Sequence, residues 1–368
     1  MPAHPPSTEG PAPLHLPDLP DPSELLTGAR VVCLPLVTPF RGVSAREALL
    51  FEGPHGWGEF APFAEYDDVE ASRWLASAIE AAWRPAVPAV REVVPVNATV
   101  PAVPPAEVAG VLARFDGCTT AKVKVAHAGQ HLADDVARVA EVRSVLGPRG
   151  LIRVDANGAW DVDQAHRALG ALAPFDLEYA EQPCATVDEL VDLRVALARS
   201  GIEVPVAADE SVRRATDPLR VARAGAADLV VIKVAPLGGV RAGLELAQRL
   251  AGDHGLPVVI SSALDTSVGL SRGVALAAAL PELPHACGLG TVALLAGDVT
   301  TDPLRAGGGV VPVRAVRPDA ELLARWQASP QRRRWWLDRT ARCLDLLAGR
   351  GPAGSPGPQP RSSPRCPR

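Results

Sequence analysis

From Val94 to Gly290 the chain alternates short apolar runs, many rich in Val and Ile, with amphipathic stretches at helical spacing. Five of the apolar runs close on polar residues. AKVKV carries Lys122 and Lys124, LIRVD ends on Asp155, LEYAE on Glu181, VPVAAD on Asp209 and DLVVIK on Lys233. From Lys124 onward the steps are 31, 26, 28 and 24 residues, each close to one strand, one helix and their loops. A polar residue closing a buried strand at that period predicts a (β/α) barrel whose strand ends converge on one mouth. Eight strands can be counted, at 94–100, 121–126, 151–157, 177–183, 204–211, 228–236, 257–263 and 285–290. The runs lack the alternation of a one-sided sheet, as strands covered on both faces should. An open doubly wound sheet is the alternative, but the polar ends fall on successive strands two to six without a switch point.

Around the barrel the pattern changes. Residues 1–22 are Pro-laden and predict a disordered leader, as 351–368 predict a disordered tail. Residues 23–93 predict an α+β capping domain: strands in ARVVCLPLVT and REALLFEGP joined at Arg41-Gly42, the Gly-rich turn GWGEFAPF, and a helix over VEASRWLASAIEAAW. The barrel then occupies 94–305, with Asp161 as N-cap of the helix after its third strand. Residues 306–350 predict a segment that packs back on the capping domain, ending in the helix RRRWWLDRTARCLDLL. The Arg332–Arg334 run reads as a solvated helix face.

Composition narrows the partners. With 368 residues and 47% hydrophobic content there is room for a large core. A formal net charge of −5 gives no reason to expect nucleic acid, and no apolar run approaches a membrane span. The N-terminus lacks a basic-then-apolar signal, so a cytoplasmic enzyme of small molecules is expected. The six cysteines (33, 118, 184, 287, 343, 366) show no CxxC spacing and read as reduced thiols.

Asp155, Glu181 and Asp209 bring three hard oxygen donors to one rim. With neither cysteine nor histidine beside them, the set suits Mg²⁺, or Mn²⁺, rather than zinc. Taken singly, each acid reads as a strand-end cap and each lysine as a salt-bridged strand end. Their recurrence at one barrel level favours a joint role. Lys122 and Lys124, two apart, share one side of their strand. An ammonium beside another ammonium and a divalent cation has its pKa lowered, which would free a general base. Opposite a metal-held carboxylate, such a base abstracts the α-proton. A Schiff-base lysine is the competing chemistry. His127 and His131 straddle a turn and do not make a ligand pair.

KVK, VDANGAW, EQP, ADES and IKVAPLGGV, in this order and spacing, resemble the enolase superfamily in its muconate-lactonising-enzyme subgroup. FRGVSAREALLFEGPHGWGEFAPF, GCTTAKVKV, SSALDTSVGL and CGLGT resemble more narrowly an actinobacterial branch that serves menaquinone biosynthesis. The likeness runs from about Leu25 to Gly349. It implies a modified (β/α) TIM barrel with an N-terminal α+β capping domain, and syn elimination of water from a small cyclohexadiene carboxylate. It further implies Lys124 as base and then acid, Lys233 as a cation on the opposite face, and Asp155, Glu181 and Asp209 as Mg²⁺ ligands. Lys122 and Asn157 would support them, while Ser262, Gly290 and Arg41 would contact substrate. N-acylamino acid racemases and dipeptide epimerases share the same catalytic set and form the alternative. A non-catalytic barrel would lack a ligand or base, and none is missing. Whether the enzyme is a monomer or a homo-oligomer is left open by the sequence.

Overall fold

The structure, a computed structural model, describes residues 16, 18–40, 42–214 and 217–350. The short helix α1 (Pro22–Thr27) leads into the antiparallel strands β1 (Arg30–Phe40), β2 (Val43–Gly53) and β3 (Gly56–Phe60), and then the helix α2 (Asp68–Trp83). After β4 (Val93–Pro95) the barrel begins with β5 (Ala98–Val100), α3 (Pro105–Leu112), β6 (Thr120–Lys124) and α4 (Leu132–Leu146). It continues through β7 (Leu151–Asp155), α5 (Val162–Leu172), β8 (Leu177–Glu181), α6 (Val187–Arg199) and β9 (Val206–Ala208). Two short helices, α7 (Glu210–Arg213) and α8 (Arg220–Arg223), precede β10 (Leu229–Lys233). Then come α9 (Val234–Leu237), α10 (Val240–His254), β11 (Val258–Ser261) and α11 (Ser267–Ala279). The chain ends with β12 (Val310–Pro312), α12 (Ala320–Arg325) and α13 (Pro330–Leu347).

Strands β5 to β11 form one parallel sheet in sequence order. The eighth predicted strand closes it only through bridges. Cys287 pairs with Val96 and Gly288 with Ser261, and Gly288 N donates to Ile260 O at 2.8 Å. The predicted first strand divides in two. Residues 93–95 pair antiparallel with β12, whereas 98–100 pair with β6. The C-terminal segment therefore returns to the base of the barrel before α13 reaches α2.

The alternation that the sequence concealed is present, with polar side chains inward. On β6, β7 and β8, Ala121, Val123, Ile152, Val154 and Ala180 belong to the core beneath the helices. The intervening Lys122, Lys124, Arg153, Asp155, Tyr179 and Glu181 face the barrel interior, because successive side chains point to opposite sides. Deeper inside, Tyr179 packs with Ala207, Leu229, Val231 and Val259. Capping boxes set helix starts as expected: the Asp161 side chain accepts from Gln164 N at 2.7 Å and Thr186 from Glu189 N at 3.2 Å.

In the N-terminal unit, Phe51, Phe60 and Trp74 pack with Trp336 and Leu347 of α13. Gly58 lets β3 lie against α2, since a Cβ there would meet Ala78 O at 2.3 Å. Arg332 departs from a solvated face: its side chain pairs with Glu47 and lies over the Trp335 ring at 4.3 Å. Cys118, Cys184, Cys287 and Cys343 are free. Cys33 is disulfide-bonded, against the reading of six reduced thiols, because a pairing made by tertiary proximity leaves no spacing signal. The disorder expected of 1–22 and 351–368 falls mostly outside the described residues. Leu16, however, donates its amide to Leu347 O at 3.1 Å, and Leu19 packs on the same core.

Candidate active site

Parallel pairing aligns the polar strand ends. Lys124 on β6 stands beside Asp155 on β7, Asp155 beside Glu181 on β8, and Lys233 on β10 beside Ser261 on β11. Asp209 follows β9 by one residue. All six charged groups, Lys122 included, are buried. A pocket opens above them, lined among others by Lys122, Lys124, Asp155, Lys233, Ser262 and Thr291.

Each acid is paired with a lysine. Lys122 Nζ donates to both oxygens of Glu181 at 2.9 Å and lies 3.4 Å from Asp155. Lys124 donates to Asp155 and to Asn157 Oδ1 at 2.9 Å. Lys233 donates to Asp209. Burial opposes the charge on Lys122, but Glu181 and Asp155 override it and hold the ammonium well above its ordinary value. Burial likewise opposes the charge on Asp155, yet Lys124 and Lys122 hold it far below the carboxylate range. Asp209 falls to about 2, as Lys233 and Arg213 outweigh its burial. Glu181 goes the other way, to about 7, because burial and its neighbour Asp155 outweigh Lys122.

The acids do not form a ready-made cage: among the described residues no three His, Cys, Asp or Glu side chains stand together as metal ligands. The donor set nevertheless fits a hard divalent cation. It offers carboxylate oxygens only, from neighbouring strand ends, and Glu181 already feels the negative charge of both flanking acids.

Sequence reasoning missed a polar belt around this centre. Arg213 Nε donates to Asp209 Oδ1 at 3.1 Å, Nη2 to Glu210 Oε1 at 2.6 Å, and Nη1 to the Tyr66 hydroxyl at 2.8 Å. Glu210 also accepts from Asn157 Nδ2 at 3.3 Å. Its signal was available, since Arg213 lies four residues past Asp209 on a helical stretch. Phe40 and Phe63 of the N-terminal unit reach the pocket, and the Lys124 ammonium stands 5.1 Å from the Phe40 ring centroid. Ser262 lines the pocket with its hydroxyl tied to Gly288 O at 3.0 Å and Thr291 at 2.7 Å. Gly290 faces elsewhere, where a Cβ would meet Asn97 O at 2.9 Å; Gly288 lines the pocket instead. Arg41 lies outside the described residues. Backbone strain gathers at this rim: Ala126, Asn157, Gln182 and Leu264 have φ of 59°, 49°, 40° and 62°, all shortly after strand ends.

A parallel barrel with three acids between lysines on β6 and β10, closed by an α+β unit, defines an enzyme of the enolase superfamily. Family profiles agree, the enolase N-terminal domain-like one matching residues 31–82 and the enolase C-terminal domain-like one residues 106–318. The chain is 58% identical to o-succinylbenzoate synthase of Thermobifida fusca over 305 residues, 83% of this chain and 93% of the relative. It is 54% identical to that of Mycobacterium ulcerans over 338 residues, 92% and 98% of the two chains. It thus belongs to the o-succinylbenzoate synthase family and is a lyase. The fold agrees with muconate lactonizing enzyme from Pseudomonas fluorescens, at TM-score 0.69 and 22% identity over 81% of this chain and 97% of that one. N-succinyl Arg/Lys racemase from Bacillus cereus superposes at TM-score 0.68 and 19% identity, covering 82% and 97%. No helix of the described residues is long and apolar enough to cross a membrane.

Proposed function

We propose that this enzyme catalyses syn dehydration of 2-succinyl-6-hydroxy-2,4-cyclohexadiene-1-carboxylate to 2-succinylbenzoate, in the cytoplasm and within menaquinone biosynthesis. The observation that carries the reading is a pocket shared by Lys124 and Lys233, from β6 and β10, in a chain more than half identical to the synthases. Asp155, Glu181 and Asp209 would hold Mg²⁺, or Mn²⁺. When bound, the cation supplies Lewis-acid stabilisation of the negative charge that develops on the substrate carboxylate.

The chain's own residues then move one proton twice. As a free amine, Lys124 takes the proton from C1, α to the carboxylate, and leaves an enediolate. The ammonium so formed gives that proton to the hydroxyl on C6 as the C–O bond breaks. Water departs, the ring becomes aromatic, and the amine is regenerated. Because the departing proton and hydroxyl share one face, a single base serves both steps. Asp155 forms an ion pair with Lys124 that orients the Nζ at the rim. Asn157 steadies the Nζ position, and Lys233 contributes fixed positive charge from the opposite wall. Lys122 neutralises Glu181. Ser262 borders the space for the succinyl arm, and the capping unit excludes water from the enediolate.

The test supplies the enzyme with Mg²⁺ and the cyclohexadiene substrate, and separately with an N-succinylamino acid in deuterated water. Ultraviolet appearance of the aromatic product is expected. Efficient α-deuteration of the amino acid with no aromatic product would overturn the reading in favour of a racemase.

A further inference from the structure

Glu59 sits at the end of β3 in the N-terminal unit, yet its carboxyl is spent on the barrel. It accepts from Thr266 N at 3.1 Å and Gly269 N at 2.9 Å, and from the Thr266 hydroxyl. Thr266 is the N-cap of α11 and Gly269 its third residue. Those are the two amides that a capping box satisfies within one helix. Here the third helical residue has no side chain, and the acid arrives from another domain. Gly269 must be glycine for this, since a Cβ would lie 2.8 Å from Glu59 Cδ and 2.9 Å from Asp265 Cβ.

What this cap restrains is the segment before it. Ser262, Ala263 and Leu264 line the pocket beside Lys233, and Leu264 holds a left-handed φ of 62°. A branched side chain keeps such a conformation only where its surroundings fix it. Asp265 completes the brace by accepting from Ala263 N at 3.0 Å.

We infer that Glu59 is a positioning residue for the reaction: by capping α11 across the domain boundary it fixes the 262–265 wall against which substrate is held. The inference rests on the proposed function for the identity of that substrate, but the brace itself does not.

The experiment uses the full chain and Glu59→Gln. Above pH 8, where Glu59 is ionised and the variant is read, a carboxylate accepts at both oxygens whereas an amide accepts at one, so the fold is kept and a tie is lost. Hydrogen exchange should quicken at 262–270 and not in β6 or β7. In the folded variant, KM for the cyclohexadiene substrate should rise on the order of tenfold, with kcat changed less. Unchanged exchange at 262–270, or unchanged KM despite quickened exchange, would overturn the inference. A purely structural cap would lower the melting temperature and leave both kinetic constants of the folded enzyme alone. If Glu59→Gln does not fold, Thr266→Val, which removes the hydroxyl that donates to Glu59 and also accepts from Val268 N at 3.2 Å, reads the same quantities with changes expected in the same direction. Wild-type protein without dehydratase activity, but with the predicted exchange pattern, would sink the proposed reaction and support the brace.

Discussion

At the residue scale the lysines and Glu59 carry the sharpest expectations. Lys124→Ala removes the only group assigned to both proton transfers, so kcat should fall roughly 10²–10⁴-fold, read from ultraviolet appearance of the aromatic product. Undiminished turnover would move the base elsewhere. Lys233→Arg keeps the positive charge in a different shape and should retain a measurable fraction of activity; a racemase needing both amines would lose everything. Glu59 adds a pH dependence. Burial and the neighbouring Asp265 push it from its ordinary 4.5 to about 8, with the buried Arg46 nearby. The folded protein then holds a proton that the unfolded chain releases from about pH 4.5 upward. Stability from this source is complete below that pH and declines as pH rises towards about 8. Urea midpoints at pH 5.5 and pH 8.5 should separate more for the wild type than for Glu59→Gln, and equal separations would refute this. The acids and lysines of the rim were legible in the sequence because each closed an apolar run. Glu59 was not, because its partners lie across the domain boundary, whereas Arg213 left a local signal four residues past Asp209 that went unread.

At the element scale, strands were legible where one residue type dominated and illegible where pairing decided. VPVNATV reads as one strand, yet its halves serve β12 and β6, and no local signal marks the division at Val96 and Asn97. HACGLG bridges the sheet without becoming a strand, since its two glycines contribute no side chains to hold it extended. The inward alternation of KVK and RVD was masked because interior positions carry ions rather than apolar groups. Close approach of elements is testable through glycine. Gly58→Ala would drive a methyl into Ala78 O and the Phe51 ring. It should cost roughly 1–3 kcal/mol in urea unfolding, as overpacking does. A variant as stable as the wild type would mean that β3 and α2 separate freely.

For the whole molecule, three buried acids opposite three buried lysines leave the rim close to neutral before any cation arrives. EDTA should abolish dehydration while leaving the protein folded, and Mg²⁺ or Mn²⁺ should restore it; full activity of metal-stripped enzyme would remove the acids from their assigned role. Glu181→Gln should weaken Mg²⁺ binding, measured by calorimetry, as a neutral amide replaces an anionic donor. The shared cap of α11 also bears on engineering. A helix whose first turn is completed by another domain couples position 59 to position 269, although 210 residues separate them. Chimeras that graft a foreign capping unit onto this barrel should work only when the donor brings an acid to the glycine, so the two domains of this enzyme are not freely exchangeable parts.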